Sequence, residues 1–393
     1  MKTALTVFVF FKCLLALATS TNAPDRLASS QNDLSQAQSF KLPVRFDEDW
    51  AILQVQIGQE KGLNLLLDTG ASYLAISEEL AGRLRKSGSL RDLASERVIT
   101  ASAKFPEVRF TEVTEVCIGQ FAIPRCRAAV IDMTLPSKSF GEPLDGIVGM
   151  ALFEAATLII NFSQKEVCVE TPGTSYKDAV VMPCVYQAHR PFVSLTLADR
   201  QFNMVVDSGF NGAFSIPWKH SRLPFVSRPI TTGLAIALAD TPETKQARLA
   251  TNVIWGGLTF DRPIVAIGQQ NEALVGNEFL KHFTLGFDQR NKLLWVVPAT
   301  NAPVTSPPFK SFGYSALPNE RGLKVYFVTP RTDAWEANIF PGDFITAING
   351  KPAREWSQKQ LRTLRDEADR IEVDVLRGGK TRHLQLRVST LVE

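Results

Sequence analysis

Two short stretches of this 393-residue chain end an apolar run in an aspartate and a tight polar turn. The first is Leu65-Leu66-Leu67-Asp68-Thr69-Gly70-Ala71-Ser72, and the second is Met204-Val205-Val206-Asp207-Ser208-Gly209-Phe210. Two carboxyl groups held about 3 Å apart cannot both ionise easily, so they keep one proton between them. The ionised member can take a proton from a water, and the protonated member can give its own to a carbonyl oxygen. That is chemistry for hydrolysing a peptide bond without a covalent intermediate. Gly70 and Gly209 allow each turn to come close to the other. The Thr69 and Ser208 hydroxyls can hydrogen-bond across the pair.

The elements around these turns also occur twice. Asp145-Gly146-Ile147-Val148-Gly149 follows the first aspartate at a distance, and Ala273-Leu274-Val275-Gly276 follows the second. The order of apolar strand, Asp-Thr/Ser-Gly turn, hairpins and apolar-apolar-Gly is therefore an internal repeat. Alternation predicts strands at 51–57 and 63–67, a hairpin of 157–162 with 166–170, and, in the second copy, strands at 191–197, 201–206, 283–288 and 292–297. Ser77 ahead of Glu78 and Glu79 predicts a capped helix reaching Lys86. Strand-like segments broken near Lys104-Phe105-Pro106, and again around 240–245, sit where hairpins would cover a cleft. Ordinary surface hairpins would read the same way.

Hydrophobic residues make up 45% and charged residues 21%, a balance that implies a globular chain rather than a disordered one. The net charge of +3 comes without a basic block, which argues against a nucleic-acid partner. Residues 1–18 read as a cleaved export signal: Lys2, an apolar run broken at Lys12, then Ala16-Leu17-Ala18 as a small-x-small site; an uncleaved membrane anchor is the rival reading, for which the run is short and broken. A polar, flexible lead-in follows over 19–39. The expected destination is the periplasm or the extracellular space. No later stretch is long enough to cross a membrane, so no stable membrane insertion is expected after cleavage. Cys117, Cys126, Cys168 and Cys184 fit either two disulfides of open connectivity or four small buried thiols. There is no C-x-x-C pair, and His189, His220, His282 and His383 lack ligand spacing, so neither a metal nor an organic cofactor is expected. Ser208 lacks a nucleophile-elbow pattern, and Asp145 and Asp288 read as turn residues.

Asp68-Thr69-Gly70-Ala71-Ser72 with Ile147-Val148-Gly149, and Asp207-Ser208-Gly209 with Leu274-Val275-Gly276, resemble the retropepsin-like aspartic protease family over residues 40–298. The resemblance implies two tandem closed-barrel β lobes, 40–172 and 173–298, forming a monomer with an internal pseudo-dimer. It implies that Asp68 and Asp207 are the catalytic dyad acting on an extended peptide or protein substrate. Thr69 and Ser208 would be the cross-bracing hydroxyls, and Ser72 would bond the outer oxygen of its aspartate. The second turn departs from the pattern: Phe210 replaces a small residue, and Asn211 stands where Ser72 stands in the first, with an amide able to donate the same hydrogen bond. Asp68 pairing with a second chain is one alternative. A non-catalytic peptide-binding protein with a degenerate cleft is the other.

Residues 299–308 hold three prolines among small polar residues and read as a stiff, extended linker. Beyond it, Pro341-Gly342-Asp343-x-Ile345-x-x-Ile348-Asn349-Gly350 resembles a PDZ domain of the bacterial protease-associated kind over 309–393, although Asn338-Ile339 replaces the commoner Ala-Gly. Such a domain is α+β and can capture a chain terminus as an added strand. Phe312-Gly313-Tyr314 is the candidate carboxylate loop. The fold class expected is mostly β: a pseudo-dimeric aspartic protease plus a C-terminal α+β PDZ domain. The function expected is an exported aspartic endopeptidase whose PDZ domain recruits or positions protein substrates.

Overall fold

Apolar runs such as Leu65-Leu66-Leu67 have no polar face to show to water, so they belong in the middle of a sheet covered on both sides. In a computed structural model, which describes residues 11–12, 16–17, 39–99, 107–174, 176–220, 222–234, 236–237 and 243–393, both aspartate runs are such central strands. The segments read from sequence as an export signal and lead-in lie outside the described residues, apart from Ser39 and two short pairings: Phe11–Lys12 with Ile236–Ala237, and Ala16–Leu17 with Val98–Ile99. The hairpin breaks near 104–106 and at 240–242 also lie outside them.

The first sheet is built from β1 (Trp50–Ile57), β2 (Glu60–Leu67), β3 (Leu74–Ser77), β4 (Glu107–Ile118), β5 (Phe121–Ile131) and β6 (Gly146–Val148). Its strand order is β1-β2-β6-β3-β5-β4, and β4 also pairs with β1 through Val116–Ile57 and Cys117–Gln56, bringing the two ends of the sheet together. Helix α1 (Glu78–Ser87) follows β3 as the sequence predicts. The Ser77 side chain accepts from Leu80 N, and Gly88 closes the helix in the left-handed region at φ 78°. A second helix, α2 (Thr134–Phe140), was not anticipated; it buries Pro136, Ser139 and Phe140. The hairpin of β7 (Thr157–Asn161) and β8 (Glu166–Glu170) forms as expected.

The second sheet repeats this plan with β9 (Arg190–Leu197), β10 (Arg200–Val206), β11 (Phe214–Pro217), β12 (Ile230–Leu234), β13 (Glu243–Arg248), β14 (Ile264–Gly268) and β15 (Ala273–Val275). Its order is β9-β10-β15-β11-β14-β13-β12, the same sequence of partners as in the first. In each sheet the aspartate strand lies parallel to the apolar-apolar-Gly strand: Leu65, Leu66 and Leu67 face Gly146, Ile147 and Val148, while Met204, Val205 and Val206 face Ala273, Leu274 and Val275. A short helix, α3 (Asn277–Leu280), leads to β16 (Phe283–Asp288) and β17 (Leu293–Pro298).

The halves are joined by a shared six-stranded sheet in which β7 of the first pairs antiparallel with β16 of the second, Thr157 opposite Asp288. One apolar cluster runs through both, from Leu53, Leu65 and Leu67 to Val206, Phe214 and Phe279, all fully buried. Each such side chain stabilises the fold by roughly 1.5–3 kcal/mol.

The C-terminal module contains β18 (Phe309–Ser311), β19 (Tyr314–Asn319), β20 (Gly322–Val328), α4 (Asp333–Glu336), β21 (Phe344–Ile348), α5 (Gln358–Glu367), β22 (Arg370–Arg377), β23 (Lys380–Arg387) and β24 (Ser389–Val392). Its sheet runs β19-β20-β21-β22-β23, and β18 pairs with β24. A capping box between Ser357 and Gln360 starts α5. The module is docked, not tethered. Its core residues Phe312, Leu317 and Val325 share one apolar cluster with Trp50, Tyr73 and Phe140 of the first half. Arg362 Nε donates to Glu48 Oε1 at 2.8 Å. The linker is pinned as well: Val304–Thr305 pairs with Phe260 and Asp261, and Arg248 donates to the carbonyls of Arg262, Ser306, Pro307 and Glu393.

Candidate active site

The two aspartate turns meet back to back. Thr69 N donates to Ser208 Oγ and Ser208 N to Thr69 Oγ1, both at 3.0 Å. Thr69 Oγ1 in turn donates to the Val206 carbonyl at 2.6 Å, and Ser208 Oγ to the Leu67 carbonyl at 2.9 Å. Each hydroxyl therefore accepts from the opposite turn and donates into the opposite strand. The sequence assigned these two residues the bracing role, and this is where they stand.

Each aspartate folds back on its own turn. Gly70 N donates to Asp68 Oδ1 at 2.8 Å, and Gly209 N to Asp207 Oδ1 at 2.9 Å. Asp68 N donates to Val148 O at 3.0 Å and Asp207 N to Val275 O at 2.9 Å, which explains why the apolar-apolar-Gly strands recur. The glycines leave no room for anything larger. A Cβ on Gly70 would lie 2.6 Å from Asp207 Cγ, and one on Gly209 would lie 2.5 Å from Asp68 Cγ.

Asp68 and Asp207 are both fully buried, within hydrogen-bonding reach of one another. Burial, then the Asp68 charge and the hydrogen bond between the two carboxyls, push Asp207 well above the ordinary carboxylate range. The Gly209 N–H and the Arg190 charge oppose that rise without reversing it. Arg190 is itself buried and held by Glu272 through two bonds, Nη1 to Oε2 at 2.7 Å and Nη2 to Oε1 at 3.0 Å.

Other site residues depart from expectation. Ser72 is fully buried, but its Oγ has no hydrogen-bond partner among the described residues, so it does not bond the outer oxygen of Asp68. Asn211 does not replace it: no hydrogen bond from its Nδ2 to Asp207 forms among the described residues, its Oδ1 is buried without a partner, and the residue lines a cavity at the junction with the C-terminal module. Asn277, one residue past Val275-Gly276, takes up a bracing role that the motif does not announce. Its Nδ2 donates to the Ser208 carbonyl at 2.7 Å. Arg190 and Glu272 were also missed; their only sequence signal is that Glu272 stands just before the apolar-apolar-Gly strand, as Asp145 does in the first copy. Asp145 is a turn residue as read, accepting from Asn64 N at 2.9 Å.

In the C-terminal module, Phe312 and Gly313 are buried and Tyr314 is half-buried. Gly313 N donates to Ser311 Oγ at 3.0 Å, and the Gly313 carbonyl accepts from Thr329 N at 2.8 Å. The four cysteines of the described chain are free thiols, and burial pushes Cys126 and Cys184 up to about 12. Among the described residues no group of three or more His, Cys, Asp or Glu is placed to hold a metal ion.

Residues 53–152 match the family model described as aspartyl protease. The match includes Asp68, its turn and Ile147-Val148-Gly149; Asp207 and the C-terminal module lie beyond it. No curated protein matches the chain.

Proposed function

We propose that the chain is an aspartic endopeptidase that hydrolyses peptide bonds through a water activated between Asp68 and Asp207. The observation that carries this reading is the pair of buried carboxyl groups held in reach of each other by mirror-image turns. The pair titrates as a unit with one proton; burial and the Asp68 charge raise Asp207, which is taken as the protonated member. Ionised Asp68 takes a proton from the water as its oxygen attacks the scissile carbonyl carbon. Asp207 gives its proton to the carbonyl oxygen. Asp68 then gives its proton to the departing nitrogen as the C–N bond breaks, and Asp207 takes a proton back from a hydroxyl of the tetrahedral diol, which leaves amine and carboxylic acid products and the starting state.

Residues 40–172 and 173–298 are read as tandem retropepsin-like lobes, supported by their common strand order. Residues 309–393 are read as a PDZ domain that captures a chain terminus at Phe312-Gly313-Tyr314. For that, the Gly313 N–H must exchange Ser311 Oγ for the incoming carboxylate. The export reading of 1–18 gives the chain exported proteins or peptides as substrates. Phe210 and Asn211 in the second turn are what favour a non-catalytic binding protein, and the retention of both carboxyls and both glycines weighs against it.

The test is cleavage of an unstructured peptide mixture by the full chain, read by mass spectrometry from acid to neutral pH beside Asp68→Asn and Asp207→Asn. The expected result is cuts by the parent alone. A parent that never cuts overturns the reading in favour of peptide binding.

A further inference from the structure

The two halves are related by a pseudo-two-fold axis, and strand register fixes its course. In the shared sheet Ile159 of β7 faces Gly286 of β16. Each stands ten residues past the glycine that closes its half's apolar-apolar-Gly element, Gly149 or Gly276. Across a two-fold, residue i of one half meets j of the other and j meets i, so a residue that faces its own equivalent lies on the axis. Thr69 and Ser208 are equivalent and exchange equal hydrogen bonds, so the axis also passes between Asp68 and Asp207. The shared sheet closes one end of it.

One further piece of chain meets both halves at equivalent positions. Lys12 faces Ala237 and Leu17 faces Val98. Ala237 stands 30 residues past Asp207, and Val98 stands 30 residues past Asp68. Two strands related by a two-fold run in opposite directions. A single segment that pairs with both must therefore be parallel to one and antiparallel to the other. Phe11–Lys12 is parallel to Ile236–Ala237, and Ala16–Leu17 is antiparallel to Val98–Ile99.

The segment thus crosses the axis that runs between the two aspartates, and the shared sheet already occupies the far end. Val98–Ile99 ends an edge strand, Glu96–Ile99, whose other side pairs with β4. Ile236–Ala237 follows directly on β12. Both offer backbone to an added strand, a mode of binding that holds any extended polypeptide. Counting in from Lys12 and Leu17, the bond equidistant in sequence is Leu14–Leu15.

We propose that residues 11–17 are the resident occupant of the cleft, laid across the Asp68/Asp207 pair as a substrate would be, with Leu14–Leu15 as the first bond the chain cuts. Water adds across that bond, leaving a carboxyl group on Leu14 and an amine on Leu15. The seat stands on the pairing alone, whereas the cut rests on the peptidase reading. The class of substrate that follows is an extended polypeptide with leucine on both sides of the scissile bond. A tethered segment has an effective concentration on the order of millimolar, so the chain stays closed to other polypeptides while its leader is attached and uncut.

The test uses the full chain made by cell-free translation without membranes, so that residues 1–18 are not removed by export. In the Asp68→Asn chain, p-benzoylphenylalanine in place of Leu17 should cross-link on illumination to the peptide holding Val98 and Ile99. In place of Lys12 it should cross-link to the peptide holding Ile236 and Ala237. Both yields should be unchanged on dilution, as contact within one chain requires. Links to other peptides only, or yields that fall on dilution, would overturn the seat. In the parent chain, the mass of the N-terminal fragment should show one cut, at Leu14–Leu15, that Asp68→Asn abolishes. A cut at another bond would overturn the register. A parent that cuts added unstructured peptides but leaves its own N-terminus whole would overturn the self-cleavage and leave the peptidase reading standing. Both cross-links, in a protein whose parent cuts neither itself nor added peptides, would uphold the seat and overturn the peptidase reading alone.

Discussion

The turn around Asp68 and the turn around Asp207 share their bracing but not their backing. Behind Gly70 stands Ala71, fully buried in the cluster that also holds Trp50, Tyr73 and Phe312 of the C-terminal module. Behind Gly209 stands Phe210, fully buried in a small cluster of its own with Phe192, Val205, Ala266 and Leu274. The second turn also has a side-chain brace from Asn277 and a nearby guanidinium in Arg190. What touches the opposite turn is duplicated to within a few tenths of an ångström, whereas what lies behind each turn has diverged. The proposed chemistry needs a symmetric pair at the contact and leaves each half free to support it differently.

Mixing is the strongest way to break that comparison. If the dyad forms within one chain, Asp68→Asn mixed with Asp207→Asn should stay inactive, with kcat down by about 10²–10⁴ or more. Recovery of activity on mixing would mean that the carboxyls pair between chains and that the symmetry seen within one chain is not the working one. Next come Gly70→Ala and Gly209→Ala. Each added Cβ would meet the opposite carboxyl at under 3 Å, so both variants should lose nearly all cleavage and fall in thermal midpoint by similar amounts. A large inequality would show that one turn can yield and the other cannot.

Phe210→Ala probes the backing alone. It should cost about 3–5 kcal/mol in urea unfolding, as expected for a buried aromatic, and leave the cross-turn hydrogen bonds in place. A loss below 1 kcal/mol would mean that the second turn does not depend on its plug. The smallest effect expected is on pH dependence. Burial and the Asp68 charge raise Asp207 above the ordinary carboxylate range, so the stability it contributes is present below that range and lost as pH rises through the raised value. Activity should fall over the same limb, because the pair then loses its only proton. Arg190 pulls Asp207 down, so Arg190→Gln should move the alkaline limb of kcat/KM to higher pH. No movement would remove Arg190 from the dyad's electrostatics.

Much of this arrangement was legible in the sequence because it is local or repeated. The aspartate runs, the Ser77 cap and the β7–β8 hairpin follow from neighbouring residues alone. Helix α2 was not legible: Thr134–Phe140 is short, contains Pro136, lacks an apolar period and has no side-chain cap at Met133. The partner expected for Ser72 failed for a different reason. A motif position fixes which residue is near the turn but not which way its hydroxyl points once Tyr73 and Leu74 are packed. The docking of the C-terminal module joins Glu48 to Arg362 and Gly233 to Ser315, where a Cβ on the glycine would lie 2.7 Å from the serine Oγ. No local pattern links residues so far apart.

The shared sheet sets a timetable for synthesis. Thr157 on β7 leaves the ribosome long before its partner Asp288 on β16 has been made. At about 5–20 residues per second the delay is on the order of ten seconds. During that interval the nascent first half offers an unpaired strand edge to any other chain nearby. A cell making this protein must either keep neighbouring nascent chains apart for those seconds or shield β7 until the second half arrives.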